Sequence, residues 1–162
     1  MCRLAPWLSL AVMVTAAIVP QVSLADVKIP VVLIAGKPSH GSGQHEHNAG
    51  VQLFAKCLAQ GAPNVETRVH LNAEWPSAET LAQADTILIY SDGGGGHPAL
   101  KDDRLAQLDA QMKRGVGFAC VHYAVEVPKD KGGNEFREWL GGYFETHWSV
   151  NPHWVADFKE LP

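Results

Sequence analysis

The chain has eight histidines, and five of them, His40, His45, His47, His97 and His122, fall in three short segments. These are GKPSHGSGQHEH (36–47), SDGGGGHP (91–98) and HYAVE (122–126), each directly after a run of apolar residues. An imidazole exchanges a proton near neutral pH, and its uncharged ring ligates transition metals. The clustering therefore reads as acid–base or ligand chemistry, since packing rarely concentrates imidazoles in loops. Acidic partners are sparse in the same segments: Glu46, Asp92 and Glu126.

His45-Glu46-His47 has the look of half a metal site. Alternate residues of an extended backbone point the same way, so the two rings can share an ion with His122 or Asp92. If a helix begins at His47 they diverge. The HExxH spacing of a zincin is absent, and no metal or other cofactor is assigned. The four glycines of 93–96 lack the Lys-Ser/Thr ending of a phosphate loop, and read as a turn that lets a ligand approach the backbone closely. Asp92, Glu126 and Glu145 are scattered, so no glycosidase-type carboxylate pair is evident. His70 reads as structural, and His153 has no assignable role.

The elements that must position these residues alternate strand and helix. Residues 29–35 (IPVVLIA), 86–90 (TILIY) and 116–121 (VGFACV) are short apolar runs of the kind found in strands buried on both faces. Residues 65–71 (VETRVHL) alternate as an outer strand does. Helices are expected at 47–60, with Val51, Phe54 and Leu58 as the core stripe widened by Leu53 and Cys57, and at 77–83 with Ser77 as cap. Two more are expected at 101–114, with Leu105, Leu108 and Met112 inward and Asp102 and Asp103 in the first turn, and at 134–140. Residues 154–158 start another strand. Connections of this length favour parallel pairing, hence a three-layer α/β sandwich, and such sheets bind ligands beyond the carboxyl ends of their strands. His40, His45, His97 and His122 are then expected to line one cleft. Cys57 and Cys120 lie in apolar surroundings and are expected to be buried free thiols.

A hydrophobic content of 46% is too high for disorder, and the length suits one core. The net charge of −4, without a basic cluster, argues against nucleic acid as a partner. Residues 1–25 read as a signal peptide. Arg3 precedes the uncharged stretch from Trp7 to Val19, too short to span a bilayer, and Ser23-Leu24-Ala25 supplies the small residues of a cleavage site. The mature domain then begins at Asp26 with net charge −5, exported to the periplasm or beyond and not inserted in the membrane. The oligomeric state is not readable.

The segments GKPSHGSGQHEHNAG, ADTILIYSDGGGGHP, GVGFACVHYA and WLGGYFETH together resemble the ThuA-like family, named for trehalose utilisation, within the class I glutamine amidotransferase-like superfamily. The resemblance covers residues 30–162 and implies a flavodoxin-like, mainly parallel sheet. It also implies a place in sugar catabolism, including oxidised (keto) disaccharides. Family domains continue beyond the segment matching 151–162, which implies a sheet incomplete at its C-terminus. In the amidotransferases a nucleophilic Cys stands at a tight strand-to-helix elbow with a small residue two positions on. Setting His122 at that elbow puts Ala124 at the small position and leaves 118–121 as an unbroken strand, so Cys120 is not a nucleophile. The family's Gly-x-x-Phe-x-x-His pattern is matched by Gly141 or Gly142, Phe144 and His147. The resemblance thus implies a carbohydrate-acting protein with His122, His40 and His147 as catalytic residues and His45, Asp92, His97 and Tyr123 as substrate-binding residues. Two other readings stand beside it: a carbohydrate-binding module without catalysis, and a Cys-dependent hydrolase.

Overall fold

The computed structural model describes residues 27–147 and Val155. The expected leader up to residue 25, His153 and all but Val155 of the strand expected at 154–158 lie outside the described residues. The element order is β1 (Ile29–Ala35), α1 (His47–Gly61), β2 (Val65–His70), α2 (Ala78–Gln83), β3 (Thr86–Tyr90), α3 (Arg104–Lys113), β4 (Gly117–Val121), β5 (Glu126–Val127), α4 (Gly133–Leu140) and β6 (Phe144–Glu145). Short 3-10 turns cover Gly94–Gly96, Pro98–Leu100 and His122–Val125.

Strands β1 to β4 form one parallel sheet in the order β2-β1-β3-β4. Leu33 lies opposite Val69 on one side and Leu88 on the other, and Leu88 opposite Ala119. The chain winds outward from β1 to β2 through α1, then returns across β1 to β3 through α2. That reversal opens a crevice between the carboxyl ends of β1 and β3. The strands β5 and β6 make a separate parallel pair.

Alternation along the strands feeds two cores. Val31, Leu33 and Ala35 pack with Val51, Phe54 and Leu58 of α1 and with Leu88 and Tyr90. Val32, Ile34, Ile87 and Ile89 pack on the other face with Leu81 of α2 and with Leu108 and Met112 of α3. Phe136 of α4 is fully buried and meets Phe118 and Trp139 edge-on or tilted at 5.7 Å. The architecture is therefore the three-layer, flavodoxin-like α/β sandwich.

Three local expectations are corrected. Leu53 is 57% exposed and Cys57 is exposed, because at about 100° per residue both lie away from the Val51–Phe54–Leu58 face. The helix expected from 101 begins at Arg104: the turn Pro98–Leu100 comes first, and the Arg104 guanidinium donates to the Pro98 carbonyl at 3.0 Å. The third apolar run, expected at the sheet's centre, is instead the edge strand β4 among the described residues, and Phe118 to Val121 are only half-buried. Ser77 does cap α2, accepting the Thr80 N–H at 3.1 Å.

Candidate functional site

The loops after β1 and β3 meet at the crevice. The Gly36 N–H donates to the Tyr90 carbonyl at 2.8 Å, continuing the ladder past the strand ends. A Cβ on Gly36 would stand 2.6 Å from the Ser91 Cβ, so only glycine permits this approach. Further along, the Glu46 carboxylate accepts the Gly43 N–H at 2.7 Å and closes the loop back onto itself. His45 then adopts a left-handed backbone (φ +47°), and α1 begins at His47. Such a conformation costs on the order of 1–3 kcal/mol, which the surrounding loop must support.

Asp92 is the hub. Its Oδ1 accepts His45 Nδ1–H at 2.7 Å, its Oδ2 lies 3.8 Å from His40 Nδ1, and Oδ1 lies 3.7 Å from His47 Nε2. Partial burial alone would raise the Asp92 pKa. Hydrogen bonds from Ser39 and His45 and the charges of His47 and His45 outweigh that and hold it below the ordinary carboxylate range. Ser39 Oγ also lies 2.9 Å from His40 Nδ1. The His40 and His45 rings are 3.9 Å apart.

His47 opens α1 from a buried position. It is 2% exposed, and its Nδ1 lies 3.0 Å from the Lys37 carbonyl. A carbonyl only accepts, so Nδ1–H donates that bond and Nε2 is the ring nitrogen turned toward Asp92. Among the described residues that buried Nε2 has no hydrogen-bond partner. The Tyr90 ring meets the imidazole edge-on at 4.9 Å and closes it off from the sheet side.

His122 occupies the elbow directly after β4 with φ +62°, a strained conformation for a side-chain-bearing residue. It is exposed, and its ring lies 4.5 Å from His45 and 4.6 Å from Tyr123. The Tyr123 N–H donates to His122 Nδ1 at 2.7 Å, which assigns the proton of the neutral ring to Nε2. Partial burial lowers its pKa, repulsion from His45, His47 and His40 lowers it further, and Asp92 opposes the shift. Cys120 lies two residues before the elbow with its side chain packed against the α2–α3 core, and burial pushes the thiol up to about 12. A thiol so protonated is a poor nucleophile.

His97 differs from the other imidazoles. It is 1% exposed, donates from Nε2 to the Ala124 carbonyl at 3.0 Å and accepts the Ala99 N–H at Nδ1 at 3.1 Å. With both nitrogens engaged it ties the glycine loop to the elbow turn, and its ring also lines the cleft beside that loop. Gly93 lies in the same seam: a Cβ there would overlap Glu126 Cβ and the Tyr123 carbonyl. The glycine run is thus partly a packing requirement, while Gly95 and Gly96 stay open and line a cleft of about 570 Å³ with Lys37, Ser39, Asp92 and Lys101. A smaller cavity of about 230 Å³ is lined by His40, His45 and His47.

His40, His45, Asp92 and His122 are therefore brought together, with Tyr123 beside them, half-buried between the His122 ring and Phe144. His122 lines neither cavity; it meets the cluster through His45. His147 is exposed, left-handed (φ +73°), and without a ring contact to the cluster among the described residues. Its neighbour Thr146 does reach the glycine loop, with Oγ1 4.0 Å from where a Gly94 Cβ would stand. Sequence reasoning missed Tyr90 and the cationic rim of Lys101, Arg104 and Lys131. The tyrosine ending an otherwise aliphatic TILIY run was a readable signal, whereas the rim comes from segments distant in sequence.

No curated protein and no solved structure matches the chain. The family model ThuA, described as trehalose utilisation, matches residues 31–160, which include both loops of the crevice and the elbow. The chain belongs to the ThuA family, that of trehalose utilisation.

Proposed function

We propose that this is an exported protein of carbohydrate catabolism that binds a sugar, including oxidised (keto) disaccharides, across the partly exposed Asp92–histidine cluster and acts on it through His122. The observation that carries the reading is the elbow. A neutral imidazole, fixed with its proton on Nε2 by the Tyr123 N–H, is held at a strained and exposed position beside the Asp92–histidine cluster. A neutral Nε2–H is suited to donating a hydrogen bond to a sugar carbonyl or hydroxyl oxygen as negative charge develops there. Family membership supports the sugar. The rim of Lys37, Lys101, Arg104 and Lys131 favours an acidic sugar over a neutral one, plain or keto.

The test is turnover of keto-, acidic and plain disaccharides by the wild type and by His122→Gln. Loss of turnover in the variant, with sugar affinity retained and the melting temperature within a few degrees, supports the reading. Sugar binding without turnover in the wild type favours a binding module, and no sugar binding sinks both. Export is proposed on the leader: mass spectrometry of the exported protein should show Asp26 as its first residue, and a retained Met1 refutes cleavage.

A further inference from the structure

The geometry points to a site for one divalent transition-metal ion in the histidine cluster, with His40, His45, His47 and Asp92 as its ligands. It departs from the sequence-based expectation of no resident metal, which rested on the missing HExxH spacing, and it does not depend on the sugar reading. Ligand atoms of His40, His45 and Asp92 all lie within 4.8 Å of one another. Clusters of this kind are common, and it is His47 that sets this one apart. Its side chain is 1% exposed, its Nε2 faces Asp92 Oδ1 from 3.7 Å, and that nitrogen has no hydrogen-bond partner among the described residues. A buried ring nitrogen facing a carboxylate oxygen beyond hydrogen-bond distance calls for a positive charge between them, which a proton on the ring or a metal ion supplies; the experiment below separates the two.

The other side of the ring fits the same reading. Metal-ligating histidines almost always donate their second ring N–H to a carbonyl or carboxylate, and His47 Nδ1 donates to the Lys37 carbonyl at 3.0 Å. Bonds of about 2.0–2.1 Å in a tetrahedron separate ligand atoms by about 3.3 Å. The separations of His47 and His40 from Asp92 are 3.7 and 3.8 Å; His40, His45 and Asp92 already form the compact set, and His47, which lies outside it, completes the shell only by shifting toward them. The 2.7 Å contact of His45 Nδ1 with Asp92 is a hydrogen bond, and it opens as the proton leaves for the metal. Three imidazoles and one carboxylate suit a zinc-type ion, whereas Ca²⁺ and Mg²⁺ select all-oxygen shells. Bound there, the ion supplies a Lewis acid next to His122.

The experiment is calorimetric titration of the chelator-treated full chain with Zn²⁺, together with the visible spectrum of its Co²⁺ form. The expected result is saturable one-to-one binding at micromolar affinity or tighter, with the intense bands of a four-coordinate Co²⁺ site. His45→Ala and Asp92→Ala, both at partly exposed positions, should each weaken binding by roughly tenfold or more and abolish the bands. Cys57→Ser, which removes the exposed thiol, should bind as the wild type does. His47→Gln is read only if its circular dichroism matches the wild type, and should then weaken binding as the other two do. Absence of saturable binding in the folded wild type, or unchanged affinity in both His45→Ala and Asp92→Ala, overturns the proposal and leaves Asp92 and His47 as a simple ion pair. Metal binding without sugar binding overturns the function proposed above and leaves this site standing; sugar turnover without metal binding does the reverse.

Discussion

Of the histidines gathered at the sheet edge, His97 is the one that makes a stability prediction. Burial lowers its pKa from 6.5 to about 4, with the hydrogen bond to the Ala124 carbonyl opposing the shift only in part. The unfolded chain then binds a proton between those values that the folded chain does not, so stability is fully present above pH 6.5 and falls as pH drops toward 4. The loss from this residue is on the order of 3 kcal/mol. His70, lowered mainly by its own burial, adds in the same direction. Urea unfolding over this pH range should show the decline, and His97→Gln should flatten it while costing stability at neutral pH. An unchanged pH slope in His97→Gln would show that the native ring already accepts a proton.

At the scale of elements, the site depends on two loops and a turn pressed together with almost no spare volume. Gly93→Ala places a methyl against the Tyr123 carbonyl and Glu126, so we expect a loss of about 1–3 kcal/mol and a shifted His122 imidazole resonance. A Gly95→Ala control, with nothing within 4 Å of its Cβ, should leave both nearly unchanged. Away from the site, Ser77→Ala removes the bond to the Thr80 N–H and should cost about 1 kcal/mol. Denaturant midpoints check all three. Strand and helix positions were legible because apolar runs and 3.6-residue stripes are local. The onset of α3 was not, because it depends on the Arg104 contact to Pro98.

For the whole molecule, the single sheet makes its two faces one cooperative unit. Leu33 belongs to the core under α1 and Leu108 to the core under α2 and α3, both fully buried. Leu33→Ala and Leu108→Ala should each cost about 2–5 kcal/mol. Lying on opposite faces, they should combine additively within about 0.5 kcal/mol in a single unfolding transition. Two transitions in the double variant would show that the faces unfold separately.

The sequence by itself determined the parallel α/β class, the family, the placing of His122 at the elbow and the collection of histidines behind the strand ends. Those follow from short-range pattern: buried runs, connection lengths, and a small residue two positions after a turn. Only the tertiary structure decided which imidazole does what. His97 and His47 both read as loop-end histidines, yet one makes two backbone bonds and the other keeps a buried nitrogen facing Asp92 with no hydrogen-bond partner among the described residues. That difference arises where residues 37, 47 and 92 or 97, 99 and 124 meet, and a contact across such separations leaves no periodic trace in the chain.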